Sequence, residues 1–390
     1  MKWVLACVLG VPALAVADPQ LEPIRPGQSY AIDLYSGVPL GNSAVIGTGG
    51  ASQANAIGSS GTLVNPSAPG VRPTTDTDSW NWDYHADWLI GGLSSDFANS
   101  GIANLPDTHA QTLTGGIDLR VHDWAGAIVA TYRGTSIADA AAGQELDAST
   151  YFIKAALAKW VPAIDMAIGV AVDTGQFQVK PNTPGAQSLF SISGVGFEAG
   201  AQWLPRHQSF RLGATVVSEI SNSHVEIDQC NAGAVCMLLP DKVVTPAQLS
   251  AGFAYRWAET AWNQTVGGTF RDETSVTVLG DVVVTGPSPD AYGLDAFGIE
   301  KLERSGRHNA VSVRGGVEWE AIPGRLRLRG GSYWEPNRFE GVPGRMHGTA
   351  GIEGRVFEFE AWGRRRGRIT LTADLAAGYR NIGFSIGFWH

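Results

Sequence analysis

The chain has 390 residues, a formal net charge of −9 and only 17% charged side chains, with 49 glycines and 13 tryptophans. Mean hydropathy is −0.02, and no basic stripe runs along the chain, which argues against a nucleic-acid partner. This length suits two or three soluble domains or one large barrel, so the residue pattern has to decide.

Residues 1–17 read as a secretory signal peptide. Lys2 supplies the charged start, Trp3 to Leu14 the apolar stretch, and Ala15, Val16 and Ala17 the small-residue cleavage site before Asp18. Leu5, Ala6 and Cys7 have the form of a lipoprotein box, but too few residues precede Cys7 for an apolar stretch to form. With Cys7 removed, Cys230 and Cys236 remain, an even pair in an exported chain, for which a disulfide closing a short loop is the natural reading. Residues 18–78 are rich in Gly, Ser, Ala, Asn and Pro with little alternation, the composition of a linker or of a plug. No spanning helix follows. The most apolar stretch, Ala155 to Val172, is broken by Lys159, Pro162 and Asp165, short of the roughly 20 apolar residues required.

At Trp80 the pattern changes to strict period two. Trp80, Trp82, Tyr84, Ala86 and Trp88 share one face, and Asn81, Asp83, His85 and Asp87 the other. Aromatics on so many successive positions of one face suggest a wall between lipid and water. Reading onward gives about fourteen strands within residues 79–390. They are Ser79 to Leu93, Gln111 to His122, Trp124 to Arg133, Thr150 to Val161, Ala163 to Thr174, Ser191 to Leu204 and Ser209 to Ser221. Pro246 to Trp257, Trp262 to Val276, Asn309 to Glu320, Arg325 to Trp334, Thr349 to Trp362, Arg368 to Tyr379 and Asn381 to His390 complete the set. The connections alternate long and short almost throughout, as in outer-membrane barrels with short periplasmic turns and longer extracellular loops. The expected fold is therefore an all-β, transmembrane, antiparallel up-and-down barrel of about fourteen strands. The last strand alternates Ile382, Phe384, Ile386 and Phe388 with small residues and ends at His390, where barrels commonly carry the terminal aromatic read by the barrel assembly machinery.

A tight turn at Ala321 to Gly324 would set Glu320 opposite Arg325 and Glu318 opposite Arg327, a charge network bracing the lumen. The same inward assignment suits Glu358, Glu360, Asp118, Arg120 and His122. Arg364 to Arg366 with Arg368 is the dense basic run, expected on the periplasmic side, where lipid phosphates or neighbouring strand ends neutralise it.

Within residues 18–78, the stretch Gly47 to Ala56, followed by Leu63, Val64, Asn65, Pro66 and Ser67, resembles the N-terminal hatch of the outer-membrane long-chain fatty acid and hydrocarbon transporter family. There a Gly/Ala-rich stretch precedes an Asn-Pro-Ala motif; here Ser67 replaces its Ala, and Ala68, Pro69 and Gly70 replace the Gly-Leu that often follows. Leu239, Pro240 and Pro246 leading to Gly252, Tyr255 and Arg256 are similar to that family's Leu-Pro approach to a strand. Gly316 to Trp319 with Leu328 to Tyr333 and Pro336 looks like its penultimate-domain hairpin. The resemblance implies an N-terminal plug and passive uptake of a hydrophobic or amphipathic small molecule, with lateral release into outer-membrane lipid. Loop aromatics such as Tyr292 and Phe297 are candidates for a greasy capture site.

A general diffusion porin for polar solutes and a structural or adhesive barrel remain alternatives. An enzyme is not expected: His85, His122 and His224 sit near no recognisable Ser or Asp signature. Two cysteines six apart without paired histidines match no zinc pattern, and no cofactor motif occurs. Asn263 starts a glycosylation sequon that carries no weight in a short barrel turn.

Overall fold

A strand with one apolar and one polar face persists in a bilayer only if its backbone groups are paired on both sides, which means closure into a cylinder. The computed structural model describes residues 19–25, 28–39, 41–72, 78–91, 94–102, 110–139, 144–221, 239–264, 266 and 270–389. It opens with β1 (Leu21–Pro23), β2 (Ala31–Asp33), helices α1 (Ser43–Gly47) and α2 (Gly58–Gly61), and a 3-10 turn at Ala68–Gly70. Then come β3 (Trp80–Ile90), β4 (Ala110–Val121), β5 (Trp124–Asp139), β6 (Gln144–Val161), β7 (Met166–Pro181), β8 (Phe190–Trp203) and β9 (Phe210–Val217). They are followed by β10 (Ile220–Ser221), β11 (Lys242–Thr245), β12 (Gln248–Trp257), β13 (Ser275–Thr285), β14 (Ala291–Tyr292), α3 (Leu294–Gly298) and β15 (Lys301–Ser305). The chain ends with β16 (Ala310–Ile322), β17 (Leu326–Glu335), β18 (Arg345–Glu360), β19 (Arg364–Ala376) and β20 (Tyr379–Phe388).

Fourteen of these strands form a closed antiparallel barrel, β3 to β9, β12, β13 and β16 to β20, in which β20 pairs back onto β3. The other six make a small sheet in the order β1-β15-β14-β2-β11-β10, built from the N-terminus and the long connections after β9 and β13. The outward positions are a band of apolar side chains, among them Ile117, Ile128, Val170, Phe197, Val313 and Ile386. At the short-turn end Trp82 and Tyr84 pack edge-on against Phe388, with ring centroids 4.9 and 4.8 Å apart, and Trp80 lies by Trp362. Such a belt of aromatics marks a membrane interface.

The order and number of wall strands follow the alternation, with three corrections. The ninth strand is β13 (Ser275–Thr285), not Trp262 to Val276. Val276, Val278, Val282 and Val284 supply its outward face, whereas Trp262 is buried against Ala51 and Leu279. The connection 258–274 is accordingly a long segment rather than a tight turn. The stretches Gly134 to Ser149 and Gly175 to Phe190 are largely ladder: β5 and β6 stay paired from Trp124 with Lys159 to Asp139 with Gln144, and β7 runs on to Pro181. Finally, the basic run belongs to β19, because a bulge between Arg355 and Phe357 shifts β18 so that Glu358 opposes Arg366 and Glu360 opposes Arg364.

Ile117 is 62% exposed on the outer wall and is paired with Ile128. Replacing Ile117 by Arg should cost about 2–4 kcal/mol in reversible unfolding from lipid vesicles, the penalty for a cation at bilayer mid-depth.

Candidate functional site

Residues 41–72 carry no ionisable side chain until Arg72, yet they lie inside a wall lined with charges. α1 lies against β17 to β20 and β3, α2 against β3, β4 and β5, and the 3-10 turn against β4 to β7, so the segment is ringed by inward faces. Its anchors are backbone amides. Asp87 on β3 accepts from Ser43 N at 2.8 Å, and Asp83 accepts from Ser59 N at 2.9 Å. Across the barrel Asp281 on β13 accepts from Ser52 N at 2.6 Å and Gln53 N at 2.9 Å. The first two sit at helix starts, where amides lack partners within the helix; Asn42 completes the first by accepting from Ala44 N and Val45 N.

Asn65 is fully buried. Its amide nitrogen donates toward the carbonyls of Gln53, Ala201 and Ala214, and its oxygen accepts from Ser67 N and Oγ. One side chain thereby ties the segment to β8 and β9. Pro66 rests on glycines: a Cβ at Gly169 or Gly200 would collide with Pro66 or with the Asn65 amide. On the far side Gly316 and Gly331, paired in register, leave the same room for the backbone of Thr48 and Gly49. The parity of these inward glycines in their strands was available in the sequence, but not what they make room for.

The turn at Pro323 to Arg325 changes the charge pairing by two residues. Glu320 opposes Arg327 and Glu318 opposes Arg329, while Arg325 lies in the turn. The distances are 3.2 Å for Glu320 with Arg327 and 2.7 Å for Glu318 with Arg329. At the centre is Glu353, which accepts from Arg327, Arg329, Arg368 and Thr370. A second ionic group joins Lys154 to Glu198 at 2.6 Å, with Asp173 beside it. In the basic run, Arg366 pairs with Asp272 and Glu358, and Arg364 with Glu358. His85 lies 2.9 Å from Ser59 Oγ, within the anchors of the luminal segment. His122 occupies a turn at positive φ. Cys230, Cys236, His224 and residues 1–17, on which the disulfide and signal-peptide expectations fall, lie outside the described residues.

Two spaces flank this core. Beneath the luminal segment is a cavity of about 430 Å³ walled by β13, β16 to β19 and the connection 258–274. On the lipid side a recess of about 560 Å³ runs over β3 to β5. Its floor is Ala86, Gly115 and Ala130, neighbours in one hydrogen-bonded row, and its rim includes Trp88, Tyr132, Tyr151 and Phe384.

The end of the barrel that carries the long connections is apolar. The inner faces of the extended β5 to β8 contribute Ile137, Leu146, Phe177, Val179, Phe190 and Ile192 to one core with Tyr30, Ile32, Val243, Tyr292, Phe297 and Leu302 from the small sheet and α3. Tyr292 and Phe297 are thus buried beneath the cap rather than displayed at its surface. At the edge of this core Glu303 is 1% exposed. Its carboxyl oxygens have no hydrogen-bond partner among the described residues. Burial, reinforced by the Asp295 and Asp96 carboxylates, pushes Glu303 up to about 9, and burial also raises Asp295 to about 6.

No family model matches this chain, and no curated protein matches it in sequence. In structure it is similar to the toluene transporter TbuX of Ralstonia pickettii, at 12% identity over 89% of this chain and 97% of that one, with a TM-score of 0.51. It is similar also to a FadL homologue of Pseudomonas aeruginosa (12% identity, 93% and 98% covered, TM-score 0.52). A third is the monoaromatic hydrocarbon channel CymD (11% identity, 89% and 96% covered, TM-score 0.50). At this identity the likeness is one of fold, and it extends over nearly the whole barrel.

Two outcomes follow from the buried charges. Glu353→Gln leaves three guanidinium groups short of their shared carboxylate and should destabilise the barrel by about 3–5 kcal/mol in urea unfolding. For Glu303, between its ordinary 4.5 and about 9 the folded cap holds a proton that the unfolded chain has released. Its contribution is therefore complete below 4.5 and lost as pH rises through about 9. Hydrogen exchange over residues 291–305 should accelerate from pH 6 to 9 beyond the intrinsic amide rate, and Glu303→Gln should flatten that excess.

Proposed function

We propose that this chain is an outer-membrane channel for passive uptake of hydrophobic or amphipathic small molecules, in which residues 41–72 act as the hatch. The observation that carries the reading is the change of lining along the lumen. The extracellular end is an aromatic and aliphatic core, while the remainder is polar and crossed by the luminal segment. A polar solute gains nothing from such an entrance, whereas an apolar one gains about 25 cal/mol per Å² of surface removed from water. The fold shared with hydrocarbon channels supports the same class of cargo. The filled lumen counts against an open diffusion porin, which needs a continuous aqueous path.

Release sideways into lipid would use the outer recess. Its floor is made of small residues, and directly behind it Asp87 and Thr114 meet the luminal segment at Ser43 and Gly41. The signal-like pattern of residues 1–17 and the belt of outward aromatics support an outer-membrane location, which would be reached through the barrel assembly machinery.

Cells carrying the protein should take up toluene or a labelled long-chain fatty acid faster than cells lacking it, with no gain for a small sugar. Deleting residues 41–72 should raise single-channel conductance in planar bilayers several-fold. Sugar flux through the intact chain would favour the porin, and an unchanged conductance after deletion would remove the hatch.

A further inference from the structure

The cavity beneath the luminal segment is basic although the chain as a whole is acidic. Ten arginines and five carboxylates line it. Five of these arginines are matched by the Glu318, Glu320, Glu353, Asp272 and Glu358 pairings described above, but one corner is not. There Arg256 of β12 and Arg271 share Glu273, which lies 3.2 Å from Arg256 and 3.6 Å from Arg271, and Arg211 of β9 lies beside them. Glu273 is further engaged by Thr260.

Among the described residues Arg211 has no carboxylate partner. It is 4% exposed, its guanidinium stacks on the Trp262 ring at 3.8 Å, and its Nε donates to Asn263 Oδ1 at 2.8 Å. Asn263 is itself fixed by donating to the carbonyls of Pro205 and Phe210. The two terminal guanidinium nitrogens make no hydrogen bond among the described residues, and Arg211 lines the cavity. A buried guanidinium held flat on a ring, with its fork of donors unmet, is organised for a two-oxygen acceptor. Next to it Ala51, Trp262 and Leu279 present an apolar surface to the same cavity.

From this arrangement we infer that the corner is a binding site for an organic carboxylate with a compact apolar body, the anion held by Arg211 and Arg256 and the body lying against Trp262 and Leu279. The excess of guanidinium over carboxylate supplies the attraction, and the adjoining apolar patch distinguishes an amphipathic acid from an inorganic oxyanion. The inference deepens the channel reading by naming anionic amphiphiles as a cargo class that meets the protein on the periplasmic side. Binding itself is independent of flux.

The full chain in a non-ionic detergent, titrated calorimetrically with benzoate, benzyl alcohol and inorganic phosphate, tests it. Benzoate should bind at least tenfold more tightly than either of the others, and Arg211→Gln should weaken benzoate at least tenfold, as loss of a charge-assisted hydrogen bond does. Arg211→Lys, which keeps the charge without the fork, should fall between. Heat-modifiable gel migration verifies that each variant is a folded barrel, and if Arg211→Gln fails that check, Asn263→Ala, which frees the guanidinium, takes its place and should also weaken benzoate. Equal affinity for benzoate and benzyl alcohol, equal affinity for phosphate, or benzoate binding indifferent to these substitutions overturns the site. Toluene uptake by the unaltered chain decides the channel reading separately, so that either can fail alone.

Discussion

Hydrocarbon offers no hydrogen bonds, so each amide and carbonyl of the wall has to find its partner in an adjacent strand. The pairing of β20 with β3 meets that demand for the whole cylinder. Two consequences are built on it. The outer positions become predominantly apolar, which leaves the inner positions free to carry aspartates, arginines and glycines. And fourteen strands enclose a space too wide for wall side chains to close by themselves, which the chain fills with its own N-terminal segment.

The way the segment is held follows from its composition. It brings almost no charge and few large side chains, so the wall engages its peptide groups, through Asp83, Asp87 and Asp281, and through Asn65 in return. Hydrogen bonds of amides to carboxylates are among the stronger available in a protein. Their number is small, however, and they are dispersed around the ring. A segment secured at separate points by polar contacts, over glycine-lined berths, is easier to displace than a packed apolar core of equal size.

Most of the wall was legible in the sequence because lipid on one side and water on the other impose the same period on each strand. β13 was missed because Trp262 and Phe270 mimic outward aromatics while in fact facing the cavity, and because Gly280 interrupts the valines of the true strand. The Glu318 and Glu320 pairings were readable to within two residues, the uncertainty of a turn whose length the sequence does not specify. The luminal contacts were less accessible. A backbone amide leaves no trace in the side chains of the segment that donates it, so Ser43, Ser52 and Ser59 look like any polar loop. Two of their partners did carry a sign: Asp83 and Asp87 are aspartates at inward positions of β3, in a strand otherwise rich in tryptophan.

Docking through main-chain groups also sets what kinds of change this segment can absorb. The wall measures the segment by spacing, since the amides of residues 43, 52 and 59 must arrive together at fixed points of a rigid ring. Exchanging one small side chain for another between those points leaves the spacing intact. Inserting or deleting a single residue there throws one attachment out of phase with the others, so drift in this stretch is far more tolerable in identity than in length.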